Sequence, residues 1–87
     1  MLRVSKSVEL TETDDGAFLL DTARGIYWHL NWVGVQVIRG IQNGLEIGEI
    51  SESIATDCNT DIETVEADII QLVKKLKKAH IVRKEIR

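Results

Sequence analysis

The side chains that most often carry covalent chemistry or bind metals are few in this chain, and they stand apart. Cys58 is the only cysteine, and it lies in a polar stretch without a basic neighbour that would favour a nucleophilic thiolate. His29 and His80 are far apart and have no companion ligands, so we expect no metal site. No nucleophile–base pair or glycine-rich phosphate loop is present. The sequence therefore predicts a protein that is not an enzyme and needs no cofactor.

The length and charge of the chain exclude several other classes of protein. Its 87 residues predict a single domain covering residues 1–87. A formal net charge of −3 disfavours a dedicated nucleic-acid binder, because contacts to phosphates supply most of such affinity. No apolar run approaches the roughly 18 residues of a membrane span, and residues 1–10 do not resemble a secretory signal. We expect a cytoplasmic protein.

The first third of the chain has the alternation of β-strands. Leu2, Val4, Val8 and Leu10 share one parity, which predicts one half-buried strand whose apolar face is interrupted at Lys6. Turn residues at 14–16 and 22–25 separate it from a second strand at residues 17–21 and a third at residues 26–30. Aspartates 14, 15 and 21 are then turn formers. Short turns predict an antiparallel meander with the first and third strands at its edges, and an open edge also permits pairing into a homodimer.

The remainder of the chain predicts three helices. Asn31 caps the first, which stops at residues 43–44, and a second follows around Ile47. Residues 56–60 are polar and predict a turn. The pattern from Thr60 to Glu63 is that of a capping box, which predicts a long third helix over residues 61–79. Residues 81–86 form either a last strand or a frayed end.

Two apolar lines run along the third helix. The core line is expected at Ile62, Val65, Ile69, Leu72, Leu76 and Ala79. A second line, formed by Glu66, Ile70, Val73 and Lys77, lies roughly 100° around the helix. This second line is either the shoulder of a wide core face or the wall of a groove, and the helix alone does not separate the two.

Several segments, in order and at characteristic spacing, resemble the PqqD-like family. They are Leu20-Asp21, residues 25–34 with the run Tyr27-Trp28-His29-Leu30-Asn31, the segment Glu46-Ile47-Gly48-Glu49-Ile50, and Asp61-Ile62-Glu63 followed by Asp68-Ile69, Leu72 and Leu76. The similarity extends from about Val8 to Val82. It implies an α+β, winged helix-turn-helix-like fold, with a three-stranded antiparallel meander followed by three helices. It also implies a recognition element for ribosomally made, post-translationally modified peptides.

The resemblance implies how such a protein binds. The leader segment of a precursor peptide adds as a strand to the third strand and lies beside the third helix. The expected leader-binding residues are Ile26, Tyr27, Trp28, His29 and Leu30 on the strand, with Glu66, Ile70, Val73, Lys74 and Lys77 on the helix. Either Ile70→Asp or Val73→Asp is expected to abolish leader binding while the fold stays cooperative.

The strand Tyr27-Trp28 is most similar to the discrete recognition proteins of lasso-peptide pathways. The partners then implied are a separate leader peptidase of the cysteine-protease class and a cyclase. The branch that serves pyrroloquinoline quinone synthesis has a proline-containing hairpin, whereas this chain has no proline. Alternatives are a peptide chaperone for another pathway, with a radical SAM or other modifying enzyme as partner, and a DNA-binding winged helix. The acidic first half of the third helix disfavours DNA binding.

Overall fold

The computed structural model describes residues 1–85. Five strands and three helices follow one another along the chain: β1 (Leu2–Val4), β2 (Val8–Thr13), β3 (Gly16–Asp21), β4 (Ile26–Leu30), α1 (Trp32–Gln42), α2 (Ile47–Cys58), α3 (Ile62–Lys78) and β5 (Val82–Lys84). The predicted α+β class is confirmed: an antiparallel sheet in the order β2-β3-β4 precedes the three helices. Ile86, the end of the predicted tail, lies outside the described residues. None of the described helices is long and apolar enough to span a membrane.

The prediction of one continuous first strand is wrong. The chain turns at Lys6 and Ser7, so that β2 pairs with β3 while β1 pairs antiparallel with β5 in a separate two-stranded sheet, Leu2 opposite Lys84. Both halves keep the same parity, which is why the alternation did not reveal the break. The tail is thus a strand, and its partner is the start of the chain.

Side-chain caps fix where the helices begin. The Asn31 side chain accepts a hydrogen bond from Gly34 N–H at 2.9 Å, as predicted. Helix α3 is capped by Asp61, whose carboxylate accepts from Thr64 N–H, so the expected capping box from Thr60 is one residue out of register. Residues 56–58 are helical rather than a turn, because α2 continues with a polar, exposed face until Asn59 adopts the left-handed conformation (φ 50°, ψ 50°).

The core lies between the inner face of the sheet and the three helices. Ala17 and Leu19 of β3 are fully buried, and they face apolar side chains of all three helices and of β5. In α3 the buried residues are Val65, Ile69, Val73 and Leu76. The predicted core line is therefore rotated, because Val73 joins it while Ile62 is 41% exposed.

Candidate functional site

Strand β4 forms one edge of the three-stranded sheet, and within residues 1–85 no strand pairs with its outer side. In an antiparallel ladder, hydrogen-bonded and non-hydrogen-bonded pairs alternate. Thr22 N–H donates to Ser7 O, so Asp21 turns its backbone groups away from β2 and toward Ile26. By the same alternation, the N–H and C=O groups of Tyr27 and His29 point away from β3. Two residues of β4 thus offer unpaired backbone groups at this edge.

A buried carboxylate fixes the turn that leads into β4. Asp21 is 2% exposed and accepts hydrogen bonds from the Ser7 hydroxyl at 2.8 Å, Ala23 N–H at 3.1 Å and Arg24 N–H at 3.3 Å. These donors satisfy the buried charge and hold the backbone of residues 22–25, where Gly25 takes a left-handed φ of 68°. The carboxylate therefore sets the position at which β4 begins.

Close packing fixes the other end of β4. A Cβ on Gly16 would stand 1.9 Å from the Leu30 carbonyl oxygen, and a Cβ on Gly34 would stand 3.1 Å from Leu30 Cβ. These glycines let the hairpin and the first turn of α1 approach the end of the strand, while Asn31 caps that helix. The motif of Leu30, Asn31 and Gly34 is thus a joint that holds β4 against α1.

A cleft of about 370 Å³ lies between the end of β4, the start of α1 and the middle of α3. Its lining includes the apolar side chains of Leu30, Val33 and Leu72, together with His29 and Asp68. Val33 is 38% exposed and Leu72 is half-buried, so both present apolar surface to solvent. The cleft adjoins the outward backbone groups of β4 and offers an apolar floor beside them.

The structure places the predicted strand residues on two faces. Tyr27 and His29 lie on the outer face of the sheet, opposite Leu20 and Phe18 of β3, and both are exposed. Ile26, Trp28 and Leu30 point to the inner face; Trp28 packs against the core, and Leu30 is 4% exposed. A strand added to β4 would therefore meet Tyr27 and His29 through their backbone.

None of the helix residues expected at the site lines the cleft beside β4. Val73 is 2% exposed and belongs to the core, so Val73→Asp would bury a charge and cannot leave the fold intact. Ile70 is exposed on the other flank of α3, and Lys77 lines a different cleft. Glu66 is half-buried and Lys74 exposed, away from His29 and Leu30.

The helical pattern does not reveal which side of α3 faces β4. Asp68 and Leu72 lie about 100° and 60° to one side of Ile69, whereas Glu66 and Ile70 lie about 60° and 100° to the other. Both flanks carry one apolar and one acidic residue, so the helical pattern is nearly symmetric. The pattern places Leu72 on the core line, whereas its half-exposure beside β4 makes it a candidate site residue.

The outer face of the sheet adds a small aromatic contact. The rings of Phe18 and His29 meet edge to face with centroids 5.2 Å apart, and His29 Nε2 lies 3.5 Å from an Asp15 carboxylate oxygen. The Thr13 hydroxyl donates to Asp15 at 3.0 Å and, with the Asp15 backbone and His29, holds the pKa of that exposed carboxyl below its usual 3.8. These contacts tie the first hairpin to the middle of β4.

The arrangement suits binding of an extended polypeptide. Unpaired backbone groups accept a strand of any sequence, and the adjoining apolar cleft selects among side chains. In the part of the chain that the structure describes, no cluster of three or more His, Cys, Asp or Glu side chains is placed to hold a metal ion. Cys58 is exposed at the end of α2.

Comparison with known proteins relates this geometry to a family. The family model described as coenzyme PQQ synthesis protein D (PqqD) matches residues 16–82. Two similar solved structures have a TM-score of 0.85: "Lasso peptide synthetase B1 complexed with the leader peptide", 24% identical and covering 95% of this chain and 98% of that one, and "TbiB1 in Complex with the TbiA(beta) Leader Peptide", 25% identical and covering 98% and 99%. Curated proteins gave no match.

Proposed function

This chain belongs to the PqqD family, as a PqqD-like recognition element for ribosomally made modified peptides, and we propose that it binds the leader segment of a precursor peptide by strand addition to β4. The observation that carries this proposal is the pair of outward-facing backbones at Tyr27 and His29, beside the cleft that Leu72 lines. The leader would extend the sheet to a fourth strand.

Backbone hydrogen bonds and apolar burial would both stabilise a leader bound at β4. Two outward residues offer up to four backbone hydrogen bonds, each worth about 0.5–1.5 kcal/mol net. Each apolar leader side chain buried in the cleft adds roughly 1.5–3 kcal/mol. Losing the free motion of the leader costs about 4–15 kcal/mol, so tight binding requires the backbone hydrogen bonds and several buried apolar side chains together.

Sequence selection then depends on the cleft. Alternate leader side chains point to the inner side of the extended sheet, and there they meet Leu30, Val33 and Leu72. The Asp68 carboxylate at the same cleft favours a basic or hydrogen-bonding leader residue next to the apolar anchor. The preferred leader therefore combines a branched apolar residue with a polar or basic neighbour two positions away.

In this proposal the chain presents the leader and leaves catalysis to separate enzymes, a leader peptidase of the cysteine-protease class and a cyclase in lasso-peptide biosynthesis. Both structures of similar fold are described as leader-peptide complexes, and one of them as a lasso peptide synthetase, which supports that pathway over the one that gives the family its description. Trp32, 45% exposed at the start of α1, adjoins the cleft and is a candidate contact for the peptidase.

Amide hydrogen exchange tests the docking place directly. The probe is a synthetic peptide corresponding to the leader of the precursor encoded beside this gene. We expect the amides of Tyr27 and His29 to gain protection on binding, because their N–H groups become paired, while those of Leu10 and Glu12 at the opposite edge of the sheet do not change. Binding that protects Leu10 and Glu12 instead, or that leaves Tyr27 and His29 unprotected, would contradict strand addition to β4.

A further inference from the structure

We infer that a second cleft, at the junction of β5, the β1–β2 turn and the end of α3, is a docking site for an acidic segment of a separate protein partner. This basic cleft has a volume of about 560 Å³ and is lined by Lys6, Lys77, His80, Arg83 and Lys84, above the buried Val82. Among residues 1–85, no carboxylate side chain lines it. It is a concentration of positive charge on a chain whose net charge is −3.

The cations of the basic cleft are uncompensated. The ion pairs among residues 1–85 use Arg3, Arg24, Arg39 and His29, and none involves a cation of this cleft. Like charges that share a cleft repel one another, and an anionic partner would remove that repulsion while adding attraction of its own. Within residues 1–85, the cations of the cleft thus form no direct ion pair with the chain's own carboxylates.

The helix dipole accounts for only part of this cluster. Lysines in the last turn of a helix are stabilised by the partial negative charge at its C-terminus, which explains Lys75, Lys77 and Lys78 of α3 without any partner. That explanation does not extend to Lys6, which lies in the turn after β1, or to the residues of β5. Three separate elements bring cations to the same cleft, and a helix dipole acts on one of them.

The chemistry of the cleft favours an acidic polypeptide over a nucleic acid. Among residues 1–85, no Phe, Tyr or Trp side chain lines it, so unpaired bases would find only His80 and Arg83 on which to stack. A polyanion that ran from the cleft along α3 would meet the acidic first half of that helix, where Asp61, Glu63, Glu66 and Asp68 lie. A short segment with two or three carboxylates is confined to the cleft and avoids that repulsion.

The position of the cleft indicates a separate partner rather than the precursor at β4. Lys77 lies about 140° around α3 from Leu72, so the basic cleft and the β4 cleft are on different flanks of the helix. A leader bound at β4 leaves the lysines uncovered. Both sites can therefore be occupied at once, which is what a chain that presents one polypeptide to another requires.

Charge reversal with a matched control tests this inference. The probe is fluorescein-labelled hexaglutamate, followed by anisotropy at low salt. We expect Lys6→Glu/Lys77→Glu to weaken binding by at least about tenfold, and Lys75→Glu/Lys78→Glu, with the same change of net charge outside the cleft, to weaken it by less than about threefold. Circular dichroism checks that both variants are folded. Equal weakening by the two pairs would overturn the inference, because it would indicate diffuse charge.

Two further arms decide the kind of partner. A labelled oligothymidylate of equal charge should bind more weakly than hexaglutamate. Tighter binding that depends on Lys6 and Lys77 would identify the partner as a nucleic acid instead of an acidic protein. A saturating amount of the precursor peptide should leave hexaglutamate bound, and displacement would assign the cleft to the precursor instead. Leu72→Asp, which is aimed at the β4 cleft, should not change hexaglutamate binding, so failure of the leader proposal and failure of this one are distinguishable.

Discussion

The two edges of the three-stranded sheet differ in what surrounds them. At β2 the outward backbone groups belong to Val8, Leu10 and Glu12, and at β4 to Tyr27 and His29. The Val8 N–H already donates to Ser5 O at 3.2 Å, so β2 offers about five unpaired backbone groups and β4 about four. However, β4 adjoins a largely apolar cleft whose other wall is α3, whereas the cleft at the start of β2, lined by Val8, β1 and the end of α1, is more polar. An open edge therefore does not make a peptide site unless a neighbouring element supplies a place for side chains.

The charged side chains of β2 also disfavour the pairing of another strand at that edge. Glu9 and Glu12 are exposed on this strand, and the Glu12 carboxylate lies 3.0 Å from the Arg39 guanidinium of α1. Charged side chains on an edge strand discourage another strand from pairing there, because two copies would bring like charges together. A homodimer formed through β2 is thus disfavoured, and the same edge is a poor competitor for the leader.

The largest expected effect is the loss of the apolar cleft beside β4. Leu72→Asp should weaken leader binding by about ten- to hundredfold, because it replaces apolar contact worth roughly 1.5–3 kcal/mol with a charge. Ile70→Asp, on the opposite flank of α3, is the matched control and should leave affinity unchanged by titration calorimetry. A folded Ile70→Asp variant that loses binding would restore the groove expected from the sequence.

Leu72 is half-buried, so its replacement also tests the fold. Should Leu72→Asp fail to unfold cooperatively in a thermal melt, Val33→Asp serves instead, because Val33 lines the same cleft and is more than one-third exposed. Unchanged leader affinity in a folded Val33→Asp variant would count against the cleft.

A smaller effect is expected from proline on the two edges. Tyr27→Pro removes an outward N–H without breaking the ladder to β3, and it should weaken leader binding by about tenfold through one lost hydrogen bond and a steric clash with the incoming strand. Glu12→Pro makes the same change at β2 and should not alter affinity. Fluorescence anisotropy with the labelled leader gives both values, and equal losses would show that the edges are equivalent.

The smallest effect concerns the hairpin that joins β2 to β3. Because hydrogen bonds lower the folded-state pKa of Asp15, the stabilisation is present above its usual pKa of 3.8 and is lost as pH falls through the lowered value. Thr13→Val should raise that pKa, which NMR titration of the carboxyl would detect, with little change in melting temperature at neutral pH. Leader affinity should not change, since the hairpin lies outside the β4 cleft; a change would show that Asp15 acts on β4 through His29.

Local signals were sufficient for much of the fold. The bounds of β4 follow from its aromatic and β-branched run, and Asn31 was recognised as a cap because its side chain and position suit that role. The split of the first strand was not predictable, since the pairing partner of β1 is β5, about 80 residues away by the antiparallel register. Alternation along one strand carries no information about its partner.

The sequence predicts the strand that borders the candidate site but not the flank of α3 that faces it. The order of strands in a meander predicts that β4 is an edge of the sheet, and the structure confirms this. Which flank of α3 lies beside that edge depends on the rotation of the helix in the core, and this is set by the burial of Val73 together with Ile69. Packing among all three helices determines that rotation, so the periodicity of one helix does not reveal it.

The pairing of β1 with β5 has a consequence for how such a domain combines with other proteins. Leu2 stands opposite Lys84, so a polypeptide joined ahead of the first strand and one joined behind the last would depart from the same corner. An enzyme fused before β1 or after β5 would then be joined to nearly the same point of the domain. A domain whose first and last strands pair in this way is compatible with fusion at either end.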